Sequence, residues 1–456
     1  MEPITAREVL TACQGELLSG DPDVEITGVS TDTRTLQPGD LFFALTGQTS
    51  DGHKFLADAF ARGASGVVVS RKVETQHLAI RVEDTLLALG ALARYYRAKF
   101  TPVVIGVTGS VGKTTTKEMI AAVTAPLGLV LKNPGNFNNE IGLPLTLFGL
   151  SKEHKTAVLE MAMRGPGQIA YLADIAKPQI GVITNIGLAH IELLGSLDAI
   201  ADAKAELLEA LPEHGAAVLN ADDAYFDSFQ RRTKASIISF GESPNADVRL
   251  TEVSADEYGC CTFEVCTPRG KLKARISVPG EHIVRNALAA IAVGEILQVP
   301  HEAIESALTQ FQPPEKRCNV TTTKSGVVVI DDTYNASPAS VLSALRTLRM
   351  MQGGRKVAVL GDMLELGGAA HDAHLNVGRA VNELGLDVLI AVGNLAKLIS
   401  QGAADSGFPP QHIYEFENSQ QAAAHLPGFV HLGDVVLVKG SRAMKMERIV
   451  EALLGT

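Results

Sequence analysis

The stretch that decides the fold reads VVIGVTGSVGKTTTKEMIAAV and covers residues 103–123. An apolar run from Val103 to Val107 leads into a glycine-rich turn and then into a helical pattern. This order of strand, glycine loop and helix N-terminus directs backbone N–H groups and the positive helix end at phosphate. General Walker loops have Gly where this chain has Val107. We predict an ATP-phosphate loop formed by Thr108, Gly109, Ser110, Val111, Gly112, Lys113 and Thr114, with Lys113 on the β and γ phosphates and the Thr114 hydroxyl on Mg²⁺.

Apolar runs of the same kind recur on both sides of this loop. They end in Gly, Asn or Asp in TAVLEMAM, IGVITNIG and GAAVLNAD, and again in GVVVIDDTYN, RKVAVLGD, DVLIAVGN and DVVLVKGS. Because such continuous runs are typical of strands covered on both faces, they predict parallel sheets with right-handed crossovers. Residues 247–278 instead alternate around the turn TPRG, which indicates an antiparallel ribbon. A helix is predicted to open at Ser337-Pro338.

The alternation of apolar strands, turns and helices predicts an α/β fold. The length predicts three domains, since 456 residues correspond to roughly three units of about 150. We expect a small α+β N-terminal domain over residues 1–82 that binds substrate. A central P-loop ATPase domain with a mostly parallel sheet follows over 83–313. A Rossmann-like α/β domain closes the chain over 314–456. No Gly-x-Gly-x-x-Gly dinucleotide fingerprint follows any strand of this last domain.

Composition excludes several classes of protein. The formal net charge is −11, from 40 basic and 51 acidic residues, which disfavours a nucleic-acid partner because phosphate backbones are bound by clustered basic charge. No run of 18 uncharged apolar residues and no signal-peptide pattern is present, so we expect a cytoplasmic protein without membrane insertion. The five cysteines show no Cys-x-x-Cys spacing, which indicates reduced thiols. Three modest acidic domains are compatible with a monomer.

Two polar residues interrupt the strands of the central region. Glu160 lies within the apolar run 157–163, where an unpaired carboxylate would be costly and a metal ion would offset its charge. An exposed edge or a lysine partner would also explain it. His190 follows the predicted strand 181–186, and open α/β sheets place ligands at that end of their strands. A single histidine is, however, more often structural than a ligand.

A third polar residue, Lys204, interrupts the apolar face of a helix that carries Ile200, Leu207, Leu208 and Leu211. Burial favours the neutral amine. A neutral amine can react with carbon dioxide to form a carbamate, which turns a cation into an anionic metal ligand. The alternative is that the aliphatic stem lies on the core while the ammonium reaches water.

In combination these motifs resemble the Mur ligases of peptidoglycan synthesis. The resemblance covers essentially the whole chain and is carried by residues 108–114, NFNNEIG (Asn136–Gly142), Glu160, His190, Lys204 and DDTYN (Asp331–Asn335). It implies an ATP-dependent amide ligase that forms an acyl phosphate. NFNNEIGLPLTL, DDTYNASP and GDMLELG further imply that D-alanyl-D-alanine is added to a UDP-N-acetylmuramoyl-tripeptide. Val107 is ordinary for this family.

The resemblance also implies roles for individual residues. A uridine-binding turn is implied for Ser30, Thr31, Asp32 and Arg34, with Phe43 and Gly47 nearby; a simple turn is the alternative. Further substrate contacts are implied for Asn136, Asn138 and Asn139. Nucleotide contacts are implied for His282 and Asn286 on the base, Arg317 on a phosphate and Asp332 on the ribose. The implied catalytic set is Lys113, Glu160, His190 and Lys204, with Thr114 and Glu160 on one Mg²⁺ and His190 with carbamylated Lys204 on a second.

Alternative functions remain open at this stage. Another Mur-type ligase acting on a UDP-N-acetylmuramoyl-dipeptide is one, although no Asp-Asn-Pro-Arg stretch of the kind that recognises diaminopimelate is present. A folylpolyglutamate synthetase is another. From a different class, a P-loop nucleotide-binding module would form no product. The set of Glu160, His190 and Lys204 favours an enzyme, because a binding module needs no second metal site.

Overall fold

The computed structural model describes residues 1–47, 50–189 and 191–455 and is α/β throughout. The chain divides into two compact units, each made of several stretches of sequence. One contains Met1–Val107, Leu127–Gly181 and Glu206–Gly215, and the other contains Thr108–Pro126, Val182–Ala205 and Ala216–Thr456. The domain boundaries near residues 82 and 313 stay a prediction. Within the described ranges, no helix has the length and apolar character needed to cross a membrane.

The N-terminal region forms a five-stranded mixed sheet. Its strand order is β2-β7-β6-β5-β4, antiparallel between β2 and β7 and parallel elsewhere. Phe42, Val67 and Val69 fill one core beneath it, and the Asp84 carboxylate caps the last helix of the region. The elements are β1 (Ile4–Thr5), α1 (Ala6–Cys13), β2 (Glu16–Ser19), β3 (Glu25–Ile26), β4 (Gly28–Ser30), β5 (Asp40–Phe43), α2 (Leu56–Ala61), β6 (Gly66–Val69), β7 (Leu78–Arg81) and α3 (Thr85–Arg97).

The central region alternates strands and helices as the sequence predicts. Its first elements are β8 (Val103–Thr108), α4 (Lys113–Thr124), β9 (Leu129–Lys132), α5 (Gly142–Leu147), β10 (His154–Glu160), α6 (Gln168–Ala176), β11 (Ile180–Ile183), α7 (Ile191–Leu194) and α8 (Leu197–Glu209). They are followed by β12 (Ala216–Asn220), α9 (Phe226–Gln230), β13 (Ser236–Gly241), β14 (Val248–Ala255), β15 (Cys260–Thr267), β16 (Gly270–Pro279), α10 (Glu281–Ile296) and α11 (His301–Thr309).

Strand pairing in this region confirms the mostly parallel sheet. Strand β10 pairs in parallel with both β8 and β9, and β12 with β13 and β13 with β14 are also parallel. Strands β14, β15 and β16 form the predicted antiparallel ribbon, whose last turn pairs Thr267 with Gly270. One strand is shorter than predicted, because β11 ends at Ile183 rather than at Ile186. Thr184 and Asn185 leave the strand and use their side chains to bind the backbone of Val111.

The C-terminal region is a second α/β layer structure. Its six strands have the order β17-β18-β22-β19-β20-β21, and only β17 is antiparallel to its neighbour. The predicted helix does begin at Pro338, and the Ser337 N–H donates to Ser340 Oγ at 2.9 Å. The elements are β17 (Asn319–Thr322), β18 (Val328–Asp332), α12 (Pro338–Met350), β19 (Lys356–Gly361), α13 (Ala370–Glu383), β20 (Val388–Val392), α14 (Ala396–Asp405), β21 (Ile413–Phe416), α15 (Ser419–His425), β22 (Val435–Lys439) and α16 (Glu447–Leu454).

Candidate active site

The glycine loop lies between β8 and α4, the strand–loop–helix context that a phosphate loop requires. Gly112 stands immediately before the first helical residue with φ +86°, and Gly109 has φ +147°. L-residues rarely adopt these angles, which explains glycine at both places. A side chain at position 112 would also clash, because a Cβ atom on Gly112 would lie 2.4 Å from Asn286 Oδ1.

Lys113, the first residue of α4, lies over its own loop. Its Nζ donates to the carbonyl oxygens of Gly109 at 2.8 Å and Ser110 at 3.3 Å. The hydroxyl-bearing Ser110 and Thr114 are both buried. The cation and the hydroxyls predicted for phosphate and metal binding therefore belong to one short, constrained segment.

Two residues that the sequence analysis did not single out hold this loop in place. Asn185 accepts from the Val111 N–H at 3.0 Å and donates to the Val111 carbonyl at 2.9 Å. Thr184 Oγ1 donates to the same carbonyl at 2.7 Å. The available signal was the polar Thr-Asn pair directly after an apolar strand, since that position faces the ligand edge of a parallel sheet.

Glu160 ends β10 and is buried, with 2% of its surface exposed. Its Oε1 accepts from Asn138 Nδ2 at 2.8 Å, and its backbone exchanges two hydrogen bonds with the Asn133 side chain, at 2.9 and 3.0 Å. In the β10–β8 register Glu160 lies opposite Val107, the residue before the phosphate loop begins. The exposed-edge alternative for Glu160 is therefore wrong, and Asn133 is a further residue that sequence reasoning missed.

The NFNNEIG motif supplies more than one kind of contact. Asn138 binds Glu160, whereas Asn139 Oδ1 accepts the backbone N–H of Gly142 at 2.9 Å at the start of α5. Asn136 is exposed. One amide of the motif, that of Asn138, therefore binds a buried carboxylate, and another, that of Asn139, accepts a backbone N–H at the start of a helix.

Lys204 lies on α8 with 1% of its surface exposed. Burial lowers the pKa of its ammonium well below the usual value, and the charge of Lys113 lowers it further. The alternative in which the ammonium reaches water is therefore wrong, and both effects shift Lys204 towards the neutral amine that carbamylation needs. His190, predicted beside it, lies outside the described residues.

His282 and Asn286 share one face of α10. Asn286 Oδ1 accepts from Thr116 Oγ1 at 3.4 Å, which joins this helix to the one that follows the phosphate loop. His282 is only partly exposed, and loss of water around its ring lowers its pKa to about 4, against an opposing effect of Asp332. Both residues are therefore partly buried rather than fully exposed on the surface of the helix.

Asp332 and Arg317 both have protein partners. Lys439 Nζ donates to Asp332 Oδ2 at 2.6 Å and to the Asn335 carbonyl at 2.9 Å, with only 3% of the lysine side chain exposed. The Arg317 guanidinium lies 4.1 Å from the centre of the Tyr334 ring. Lys439 was not predicted, because nothing in its own strand reveals which carboxylate of a neighbouring strand it meets.

The predicted uridine turn is a compact Ser/Asp turn in the structure. Ser30 Oγ donates to the Asp32 carbonyl at 3.0 Å, and Thr31 is partly exposed next to it. Arg34, 85% exposed, forms a bidentate ion pair with Asp32 that lowers the pKa of this carboxyl to about 2. Phe43 has no exposed surface, and the Gly47 N–H donates to the Ser50 carbonyl at 2.8 Å. The ligand roles of these residues stay predictions.

The capacity of the chain to bind a metal ion depends on which donor atoms lie close together. Across residues 1–47, 50–189 and 191–455, no group of three or more His, Cys, Asp or Glu side chains could hold a metal ion. Mg²⁺ is usually bound through one or two protein oxygens plus substrate phosphates and waters. The hydroxyl of Thr114 and the carboxylate of Glu160 are oxygen donors of that kind.

Comparison with known proteins agrees with this fold. Residues 25–97 match the model of the Mur ligase family catalytic domain, residues 107–294 that of the Mur ligase middle domain, and residues 316–442 that of the Mur ligase glutamate ligase domain. The chain belongs to the Mur ligase family, a class of ATP-dependent ligases.

Its similarity within that family is specific. The chain is 40% identical to the UDP-N-acetylmuramoyl-tripeptide–D-alanyl-D-alanine ligase of Synechocystis sp., over 98% of this chain and 96% of that protein. A crystal structure of MurF from Acinetobacter baumannii superposes with a TM-score of 0.93 at 35% identity and covers both chains completely. MurF ligase from Thermotoga maritima in complex with ADP gives a TM-score of 0.82 at 30% identity, over 94% of this chain and 97% of that one.

Proposed function

We propose that this chain joins D-alanyl-D-alanine to UDP-N-acetylmuramoyl-tripeptide with conversion of ATP to ADP and phosphate. The observation that carries the proposal is the full-length likeness to ligases of that name, over 98% of the chain. The geometry supports the proposal, because the chain has a phosphate loop for ATP, a buried carboxylate that can bind a metal ion and a buried lysine whose lowered pKa favours the carbamate-forming amine.

The chemistry begins with a carboxylate, which is a poor electrophile. One of its oxygens attacks the γ-phosphorus of ATP, the bond from that phosphorus to the β,γ-bridging oxygen breaks, and ADP leaves. The amine nitrogen then attacks the acyl carbon, loses a proton, and phosphate leaves. Lys113 and the backbone N–H groups at the start of α4 offset the repulsion between the two anions in the first step.

Metal ions would add further charge compensation. We propose Thr114 and Glu160 as ligands of one Mg²⁺, on the chemistry of their oxygen atoms. His190 and carbamylated Lys204 are proposed for a second. Formation of the carbamate requires the neutral Lys204 Nζ to attack carbon dioxide, with loss of one proton. The depressed pKa of Lys204 supports this step.

Roles of larger segments follow the same proposal. Residues 1–82 would hold the UDP-sugar. The residues proposed to lie nearest to this ligand are Ser30, Thr31, Arg34, Phe43 and Gly47. Residues 83–313 would hold ATP, with His282 and Asn286 on the base, and residues 314–456 would contribute Arg317 and Asp332 and bring in the amino component. Use of ATP and a UDP-linked precursor fits a cytoplasmic location, and we propose that the chain acts as a monomer.

The proposal is tested by measuring ADP release with three acceptors: UDP-N-acetylmuramoyl-tripeptide, the corresponding dipeptide and a folate, each with candidate amines. ADP formation that depends on the tripeptide and D-alanyl-D-alanine is expected. Turnover with the dipeptide or the folate would identify another ligase of the same family. Absence of ADP with every pair would favour a nucleotide-binding module.

Replacement of the loop lysine tests the phosphate site directly. Lys113→Ala is expected to lower the rate of ADP release by about 100-fold or more, because a fixed charge facing the transferring phosphoryl group is lost. Lys152→Ala, at an exposed lysine, serves as the control. A Lys113→Ala rate equal to the control rate would remove the lysine from the mechanism.

A further inference from the structure

Two segments that lie 167 positions apart in the sequence, counted from Leu194 to Gly361, contact each other. One is α7, and the other is the GDMLELG segment, Gly361–Gly367, that follows β19. The Glu192 N–H donates to the Glu365 carbonyl at 3.5 Å. A Cβ atom on Gly367 would lie 3.2 Å from each of Cα, Cβ and Cγ of Glu192. A side chain at position 367 would require Glu192 or the GDMLELG segment to shift by a few tenths of an ångström.

Hydrogen bonds to other parts of the chain hold the backbone of the GDMLELG segment in place. The Met363 N–H donates to Nε2 of the buried His374 at 3.0 Å, and the Leu364 N–H donates to Ser441 Oγ at 2.9 Å. Hydrogen bonds from two different elements thus define the path of its backbone. A displacement at Gly367 would therefore be transmitted to α7 rather than absorbed within the segment.

The segment is also strained. Glu365 has φ +63° and Gly367 has φ +49°, both in the left-handed region. For a non-glycine residue this conformation costs about 1–2 kcal/mol. Strain of this kind persists where the surrounding structure determines the backbone, and it is concentrated at functional sites.

Gly187, which precedes α7 in the sequence, is bound to the phosphate loop. The Gly187 N–H donates to Ser110 Oγ at 2.9 Å, and Ser110 Oγ donates to the Gly187 carbonyl at 3.1 Å. The Ile191 N–H donates to the Leu188 carbonyl at 3.3 Å. Gly187 is therefore bound to the phosphate loop and Glu192 to the GDMLELG segment, and the hydrogen bond between Ile191 and Leu188 connects these two contacts.

We infer that Gly367 is a positioning residue of the ligase reaction: its close contact with Glu192 holds the start of α7 in place, and the hydrogen bond between Ile191 and Leu188 connects α7 to Gly187, which binds Ser110 of the phosphate loop. The inference rests on the proposed function. The effect reaches the phosphate loop at the Ser110 hydroxyl and leaves Lys113 and the loop glycines unchanged, so we expect turnover to fall more than the affinity for ATP.

The test compares three glycine-to-alanine variants of the full chain. Gly367→Ala adds both the crowded contact and a left-handed alanine. Gly368→Ala adds neither, since no atom lies within 4 Å of its Cβ. Gly385→Ala adds only the left-handed alanine, at φ +61° with no atom within 4 Å. For Gly367→Ala we expect kcat to fall about tenfold or more while KM for ATP changes less than about twofold. Both controls should keep kcat within about twofold of the wild type.

A rescue variant separates the contact from backbone strain. Glu192→Gly removes two of the three crowded atoms, so the double variant with Gly367→Ala should recover at least about threefold in kcat. Hydrogen exchange of residues 187–195 should be faster in Gly367→Ala than in Gly368→Ala.

Equal kcat for Gly367→Ala and Gly368→Ala, or no recovery in the double variant, would overturn the inference. Absence of ADP from the wild-type chain would instead overturn the proposed function, so the two failures are distinct.

Discussion

Single residues acquire their chemistry here from what surrounds them. Lys204 is an ordinary lysine in the sequence, but on α8 it is removed from water and lies within electrostatic range of Lys113. Both effects favour loss of its proton. Glu160 keeps its place in a buried strand because Asn138 and Asn133 supply hydrogen bonds to its carboxylate and backbone.

Lys204→Ala should be nearly inactive in ADP release, because the proposed carbamate can no longer form. Small carboxylic acids such as acetate or formate should restore part of the rate by occupying the same space with an anionic oxygen pair. The measurement is the rate of ADP release with and without added acid. Lys356→Ala, at another buried lysine, controls for the loss of a large side chain. Wild-type rates in Lys204→Ala would reject a carbamate.

Gly112→Ala should weaken ADP binding by about tenfold or more. The new Cβ meets Asn286 Oδ1 at 2.4 Å, and the residue must keep φ +86°, a strain of about 1–2 kcal/mol. Gly165→Ala, where a Cβ meets no atom within 4 Å, is the matched control. Titration calorimetry with ADP measures both. Unchanged affinity in Gly112→Ala would contradict the geometry of the loop.

Elements of the C-terminal sheet are joined by a buried ion pair as well as by backbone hydrogen bonds. Lys439 on β22 meets Asp332 on β18, the neighbouring parallel strand, and also the carbonyl of Asn335 after that strand. Breaking such a pair leaves a partly buried charge without its partner, which is more costly than losing an exposed pair.

Lys439→Met should lower the free energy of unfolding by about 3 kcal/mol, the lower end of the range for removal of one partner from a buried pair. Arg7→Ala, which breaks the exposed pair with Asp23, should change it by less than about 1 kcal/mol. Urea denaturation of both variants gives the comparison. Equal midpoints for the two would show that the Lys439 pair contributes no more than a surface contact.

At the scale of the whole molecule, acid should destabilise the fold partly through His282. Its pKa is about 4 in the folded chain and 6.5 ordinarily, so between these values the unfolded chain binds a proton that the folded chain does not. The free energy of unfolding therefore decreases as the pH falls from 6.5 towards 4, and the contribution is complete above 6.5.

Because carboxylates titrate in the same range, the His282 effect is measured as a difference. The stability of the wild type minus that of His282→Gln should decrease by up to about 3 kcal/mol between pH 6.5 and 4. His412→Gln, at an exposed histidine, is the matched control. A constant wild-type minus His282→Gln difference would show that His282 accepts a proton equally well in both states.

The fold and the site were predictable from the sequence to different degrees. The strand–loop–helix of residues 103–124, the ribbon of β14–β16 and the start of α12 all follow from local periodicity and turn residues, and the structure confirms them. The end of β11 was predicted three residues too late, because the pattern of apolar residues does not reveal that Thr184 and Asn185 bind Val111.

The α/β class, the phosphate loop and the unusual positions of Glu160 and Lys204 could be predicted from the amino-acid sequence alone. Each of these features depends on residue type and on the spacing of residues within a single helix, strand or turn. Only the tertiary structure decided that Lys204 is withdrawn from water, that Lys439 is the partner of Asp332, and that Gly367 lies against Glu192. Burial, ion pairing and close backbone approach depend on which distant segments pack together, and local spacing carries no information about that choice.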